Sequence, residues 1–179
     1  MPDDALLWFT GAEPRDNRER VLLATVRQEA YGWRVPGLQP QDTAVGVFIV
    51  PLHLSVDIPE LPHAVTNLQV GYWPPDGPYG HALEGEWGDK YLLDSHVYGR
   101  NGLTVFGLDA SPEQFGVWAA NWLRHQLQRP IERRDWLDGD GNVTATRFVL
   151  ANSEFVLRQT GFSLVRRFRR SPDRVERVR

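Results

Sequence analysis

The sequence predicts an α+β fold: a single domain whose mainly antiparallel sheet is built from hairpins, with two main helices packed on it. Strand-like segments rich in β-branched and aromatic residues follow one another in pairs joined by turn residues, instead of alternating singly with helices. Two other segments have the spacing of amphipathic helices, one near the start of the chain and one after residue 111.

The second helical segment has the clearest signals. Ser111 can cap the first free backbone amides, Pro112 suits the first helical position because it has no amide to lose, and Gln114 completes a capping box. Apolar residues then recur at helical spacing: Phe115, Trp118, Ala119, Trp122, Leu123 and Leu127. The pattern predicts a core helix over 112–128.

An earlier helix is predicted by the same kinds of signal. Asp16 or Asn17 is a suitable cap, the apolar spacing runs to about Tyr31, and Gly32 follows where a helix would end. We also expect a short helix over 153–160.

The strands predicted from residue type and turn position come in hairpins. Asn101-Gly102 is a strong signal for a tight hairpin, and the run 138–142 (Asp-Gly-Asp-Gly-Asn) indicates a second one. The predicted strands cover 45–56, 67–73, 84–98, 103–108, 131–137 and 144–150.

Charge is distributed unevenly along the chain. Residues 162–179 contain seven arginines and two acidic residues, a net charge of +5, whereas the remainder carries −8. We therefore interpret 1–161 as a single α+β domain and 162–179 as a basic, arginine-rich C-terminal tail.

Composition excludes several classes of function. The chain has no cysteine, which excludes disulfides, thiolate catalysis and cysteine-ligated zinc. Its longest apolar run, 44–54, is shorter than the roughly 20 residues that span a bilayer. The first residues are acidic where an export signal would be basic, so we expect a cytoplasmic protein.

Familiar catalytic motifs are not found in the sequence. It has no glycine-rich phosphate loop, no H-E-x-x-H and no G-x-S-x-G. The run beginning at Asp138 resembles the start of a calcium loop, but Val143 and Val149 occupy the positions that need glycine and a carboxylate. A hairpin turn is the better interpretation.

Two groups of polar residues are candidates for chemistry. Asp94, His96 and Tyr98 alternate on one predicted strand, so His96 could act as a general acid or base beside a carboxylate, although a plain polar strand face is the default. His81, Glu84, Glu86 and Asp89 offer metal-ligating atoms at a spacing that matches no known ligand pattern. We predict no metal and no cofactor.

A proline-rich loop is the candidate partner-binding site. Tyr72, Trp73, Tyr79 and His81 lie beside three prolines, which would reduce the entropy lost when exposed aromatics bind a partner. The alternative is a stiff connection whose aromatics fold back onto the core.

The tail offers a second kind of interaction. Its arginines could neutralise nucleic-acid phosphates or lie over an acidic protein surface: Arg166, Arg167, Arg169 and Arg170. The acidic body and the lack of a reader motif weigh against nucleic acid.

Four stretches of the chain resemble uncharacterised small proteins of actinomycete bacteria: 95–99 (Ser-His-Val-Tyr-Gly), 107–113, 119–124 and 129–133. The resemblance implies no activity, catalytic residue or ligand. An actinomycete origin would agree with the use of one lysine against nineteen arginines.

The leading hypothesis is a non-catalytic cytoplasmic adaptor that binds another protein, of unknown pathway. The alternatives are a nucleic-acid-associated accessory protein that uses the basic tail, or an enzyme with its site around Asp94, His96 and Tyr98. The sequence predicts no membrane association, and it is compatible with a homo-oligomer.

Overall fold

The computed structural model describes residues 7–47, 52–61, 66–76, 80–89, 101–151, 153–161 and 171–179. These residues form two α-helices and ten mostly antiparallel strands, which confirms the predicted α+β class. The strands form two sheets, and contacts divide the chain into two compact units, 1–59 with 63–128 and 60–62 with 129–179. The boundary predicted at 161/162 stays a prediction.

The larger unit contains a six-stranded sheet whose strands follow chain order. The first pair is parallel and every later pair is antiparallel, as expected for strands that arrive in hairpins. The strands are β1 (Thr10–Gly11), β2 (Thr43–Val47), β3 (Leu52–Val56), β4 (Thr66–Trp73), β5 (Ala82–Asp89) and β6 (Leu103–Phe106).

Helix α1 (Asn17–Ala30) begins where the sequence predicts. The Asp16 carboxylate accepts a hydrogen bond from the Glu19 amide at 2.8 Å, which satisfies one of the free donors of the first turn. Its buried face carries Leu22, Leu23 and Val26. The helix is therefore held by tertiary packing as well as by its cap.

Helix α2 (Pro112–Leu127) confirms the strongest prediction from the sequence. The Ser111 hydroxyl accepts from the Gln114 amide at 3.3 Å. The two helices approach closely at Gly116, where an added Cβ would lie 2.8 Å from the Thr25 Cβ and 3.0 Å from the Leu22 carbonyl oxygen. Only a residue without a side chain fits this contact unchanged.

Helix α2 covers one face of the six-stranded sheet. A Cβ on Gly85 of β5 would lie 2.7 Å from the Trp122 ring, so the indole rests directly on the strand backbone. The Trp87 indole N–H donates to the Gln126 amide oxygen at 3.0 Å. Apolar burial and one satisfied polar contact hold the helix on this face.

The smaller unit contains a four-stranded antiparallel sheet in the order β10-β7-β8-β9. Its strands are β7 (Ile131–Leu137), β8 (Val143–Leu150), β9 (Phe155–Thr160) and β10 (Arg174–Arg177). The turn between β7 and β8 is held by the Asp138 carboxylate, which accepts from the amides of Asp140 and Asn142. The hairpin predicted there is confirmed.

A buried carboxylate joins β10 to β7. Asp135 is 1% exposed, and its oxygens accept hydrogen bonds from Arg133, Arg174 and Thr146. Burial alone would raise the pKa of Asp135, but the bonds from these groups outweigh burial and lower it below the ordinary value. The ionised carboxylate therefore stabilises the edge of this sheet.

Two predicted elements are wrong. The single strand expected over 45–56 is the antiparallel pair β2 and β3. Two paired strands bond backbone N–H and C=O groups to each other that would lack these partners in one continuous strand. The short helix expected over 153–160 is β9, paired with β8. Glu154 has φ of 55°, which no right-handed helix accommodates.

The end of the segment interpreted as a basic tail is ordered. Arg174–Arg177 forms β10, and Arg174 is bound to Asp135 as described above. The Arg179 side chain donates to Glu60 at 3.3 Å and to the Arg129 carbonyl at 3.2 Å. At least this part of the segment belongs to the smaller unit.

Replacement of Gly116 tests the contact between the helices. Gly116→Ala should lower the free energy of unfolding by about 1–2 kcal/mol, because overpacking costs about 1–3 kcal/mol and alanine returns up to about 1 kcal/mol of helix propensity. Gly139→Ala is the control, since a Cβ added at this turn glycine would meet nothing within 4 Å. Chemical denaturation measures both, and equal stability of the two variants would contradict the close approach.

The pH dependence of stability tests Asp135. Its folded pKa is lowered, so it contributes stability that is present above the unfolded pKa of about 4 and is lost as pH falls through the folded value. Asp135→Asn should cost about 3 kcal/mol near neutral pH, by analogy with broken buried ion pairs, and the cost should shrink in acid. Chemical denaturation near neutral pH and in acid measures the cost of the substitution. Asp140→Asn, at an exposed aspartate, is the control. A pH-independent cost would contradict it.

Candidate functional site

The structure places three of the residues predicted to bind a partner, namely Tyr72, Trp73 and His81. The other candidates lie outside the described residues: Tyr79, Asp94, His96, Tyr98, Arg166, Arg167, Arg169 and Arg170. Predictions that depend on those residues, including an enzymatic site around His96 and a nucleic-acid-binding tail, stay predictions.

Tyr72 is part of the core on the helix side of the sheet. Its side chain is 1% exposed, its ring lies 5.6 Å from the Phe115 ring, and its hydroxyl lies 3.2 Å from His81 Nε2. Burial, together with the negative charges of Asp16 and neighbouring carboxylates, raises the pKa of Tyr72 to about 12. It is a neutral core phenol and is not available as an exposed anchor.

Trp73 points to the opposite face and is also buried, at 8% exposure. The alternative interpretation, in which the aromatics fold back onto the core, therefore describes both Tyr72 and Trp73. Neither ring is exposed, which corrects the expectation that Tyr72 and Trp73 offer exposed rings to a partner.

His81 is half-buried beside the helix, with its ring centre 4.1 Å from that of Phe115. Burial and the nearby Arg18 lower its pKa, so His81 is neutral near pH 7. The pleat sends its side chain to the face opposite those of Glu84 and Glu86. His81 is therefore separated from these two carboxylates, and no group of three potential ligands that could hold a metal occurs among the described residues.

Strand β6, next to His81 in the sheet, has one edge that is unpaired within the described residues. Residues 90–100, which the sequence predicts to form a hairpin with 103–108, lie outside the described residues, so that hairpin stays a prediction. The Gly107 amide donates to the His81 carbonyl at 3.0 Å, so these two residues form a hydrogen-bonded pair. This pair determines which of the following pairs between β5 and β6 are hydrogen-bonded. Hydrogen-bonded and non-hydrogen-bonded pairs alternate, so Leu103 and Val105 direct their N–H and C=O groups toward β5. Thr104 and Phe106 direct theirs outward.

Large apolar side chains in and just after β6 are also exposed. The side chain of Phe106 is 53% exposed and that of Leu108, two residues further on, is 51% exposed. The strand itself, Leu-Thr-Val-Phe, contains no charged residue. Outward-directed backbone groups and exposed apolar side chains thus occur together at this edge.

A second region of interest lies on the sheet face opposite the helices. His53 of β3, Gln69 of β4 and Glu86 of β5 project there and are each no more than 4% exposed. His53 Nε2 lies 3.0 Å from the Gln69 amide oxygen, and the Gln69 amide nitrogen donates to the Glu86 carboxylate at 3.3 Å. We call these three residues, with Ser55 and Asn67 of the same face, the polar row.

The Glu86 carboxylate determines the orientation of the Gln69 amide and thereby the tautomer of His53. Because the Glu86 oxygen accepts from the Gln69 NH₂ group, the Gln69 oxygen must accept, and the proton of a neutral His53 therefore lies on Nε2. Burial lowers the pKa of His53, although the hydrogen bond with Gln69 opposes this. The row is built around an uncharged imidazole.

The sequence alone does not identify either region. It does contain a signal for the polar row, since polar residues recur at every second position of three successive strands: His53 and Ser55, Asn67 and Gln69, Glu84 and Glu86. Such alternation usually indicates a solvated face. For β6, the uncharged run 103–106 is visible in the sequence, but its position at an edge is not.

Searches against protein-family models, curated proteins and solved structures find no match to this chain. The resemblance to actinomycete proteins therefore stays a prediction. Among the described residues, neither helix has the length and apolarity needed to cross a bilayer.

Replacement of Trp73 tests its place in the core. Trp73→Ala should lower the free energy of unfolding by about 3–5 kcal/mol, the usual cost of removing a buried large aromatic. Phe106→Ala is the matched control, because this exposed ring should contribute about 0.5 kcal/mol or less. Urea denaturation of both variants measures the difference, and a Trp73 variant as stable as the control would show that the indole is not packed.

Proposed function

We propose that this protein is a non-catalytic, cytoplasmic adaptor that binds another protein by accepting an extended segment of it along the outer edge of β6. The observation that carries the proposal is the outward direction of the Thr104 and Phe106 backbone groups. An added strand would pair with these groups, and its side chains would contact the exposed Phe106 ring.

A comparison of the described edge strands supports β6 as the binding edge. β10 carries three charged residues in four, and β9 contains Arg158, whereas β1 has only two residues. Charges and short length are the usual devices that prevent strand addition. β6 has neither a charge nor a proline, so within the described part of the chain its own residues supply none of the devices seen at the other edges.

The charges near β6 indicate what kind of segment it accepts. Asp109 and Glu113 are exposed close behind the strand in sequence, and Glu84 lies directly across from Thr104. A partner segment with apolar residues alternating with lysine or arginine would complement both the exposed Phe106 ring and this negative charge. We therefore propose a basic, extended segment of another protein as the occupant.

Among the described residues of the proline-rich loop predicted to bind a partner, His81 is closest to this edge. Its carbonyl holds Gly107, which follows β6 and has φ of 65°. The proline-rich loop would then position the edge strand, and its aromatics Tyr72 and Trp73 would support the site from the core.

Hydrogen exchange with a defined peptide tests strand addition. The probe is a synthetic peptide of alternating lysine and valine, and the control peptide replaces lysine by glutamate. On binding the basic peptide, the Thr104 and Phe106 amides should gain protection, whereas those of Leu103 and Val105 are already bonded to β5. NMR of the full chain measures each amide.

Variants of the outer edge complete the test. Thr104→Pro removes an outward N–H while keeping the ladder to β5, and it should weaken peptide binding about three- to tenfold. Phe106→Lys should weaken it further, and Val156→Lys, on an exposed valine of β9, should not. Unchanged binding by Thr104→Pro would contradict the proposal. Concentration-dependent protection of Thr104 without peptide would identify a second copy as the occupant instead.

A further inference from the structure

The polar row is unusual because it is buried. An antiparallel sheet that packs helices on one face normally exposes its polar face to water. Here Ser55, Asn67 and Gln69 are 3%, 1% and 0% exposed. Burial of polar groups costs free energy unless each finds a partner, so a buried polar face calls for a specific explanation.

The centre of the polar row, at Gln69, meets this requirement through hydrogen bonds within the row. Gln69 uses its oxygen for His53 and its nitrogen for Glu86, so both ends of its amide are bonded. These contacts order the centre of the row and explain how Gln69 tolerates complete burial.

Asn67 is different. It lies two residues before Gln69 on β4, so its side chain shares the same face. Neither its amide nitrogen nor its amide oxygen has a hydrogen-bond partner among the described residues, although it is 1% exposed. An orphaned buried donor and acceptor on one side chain is a costly arrangement that a bound group would relieve.

Glycines lie beside these side chains in the sheet. Gly88 lies directly across from Asn67, and Gly46 and Gly71 flank His53 on the neighbouring strands. Glycine inside a strand weakens it and often marks a place where a ligand or another backbone approaches closely. Three glycines on one polar face are consistent with such an approach.

We propose that the polar row is a binding site for a small uncharged molecule that carries a hydrogen-bond donor next to an acceptor, as a carboxamide or the edge of a nucleobase does. Such a group would bond to both atoms of the Asn67 amide at once. The ordered Gln69 and His53 side chains form the adjoining wall. This site is independent of the proposed strand addition at β6.

Stability of ligand-free variants distinguishes a binding role from a structural role for Asn67. Asn67→Leu, of similar size, should raise the melting temperature of the dialysed protein, because it removes two unsatisfied polar atoms. Gln69→Leu is the matched control and should lower the melting temperature, because it removes the hydrogen bonds that Gln69 makes with His53 and Glu86. A loss of stability in Asn67→Leu comparable with that of Gln69→Leu, or failure to fold, would overturn the proposal.

Binding of two probes then tests the ligand class. Nicotinamide supplies a carboxamide and adenine a nucleobase edge, and ligand-observed NMR at millimolar concentration detects either. At least one should bind the full-length wild type and bind Asn67→Leu about tenfold or more weakly. Whichever probe binds identifies the source of the group. Binding of neither, or equal binding to both proteins, would overturn the proposal, whereas Val156→Lys, on the other sheet, should leave probe binding unchanged.

Discussion

The register of β4 against β5 is the constraint on which the larger unit depends. Their residues pair without a break from Thr66 with Asp89 to Trp73 with Ala82. Side chains of a strand alternate between its faces, so a slip of one residue would exchange the two faces completely. The observed register brings Gly85 under the Trp122 ring and sends Gln69 and Glu86 together to the other side. Helix packing and the polar row therefore have one common cause.

The same regularity reaches the edge of the sheet. The ladder from β5 to β6 continues to the bond between Gly107 and His81, and its phase alone decides that Thr104 and Phe106 direct their backbone groups outward. Helix α2 contributes indirectly. The Trp122 indole can lie against the backbone of β5 only because residue 85 is glycine, since a side chain there would overlap the ring. The geometry of the edge is thus set by contacts in the interior.

The parts of the fold that could be predicted are those decided locally. Ser111 and Asp16 cap their helices as expected, and the turn at Asp138 forms from its own carboxylate and nearby amides. The errors lie where distant residues decide. β9 is a strand because β8 lies beside it, and β10 is ordered because Arg174 reaches Asp135, thirty-nine residues away. No local pattern shows either partner, and a charged run such as 174–177 is ordinarily solvated.

The candidate sites are hidden for a related reason, since alternation of polar residues predicts which side chains share a face but not whether that face is covered. Two buried polar clusters, one around Asp135 and one around Gln69 and Asn67, differ in whether their polar atoms have hydrogen-bond partners. Around Asp135, several donors converge on one carboxylate and the charge is stabilised, which is how a buried polar group serves the fold. Asn67 is buried without such partners among the described residues, and the bonded Gln69 beside it shows that the same strand can satisfy an amide. The proposed ligand would give the Asn67 amide the kind of partners that Gln69 has within the sheet.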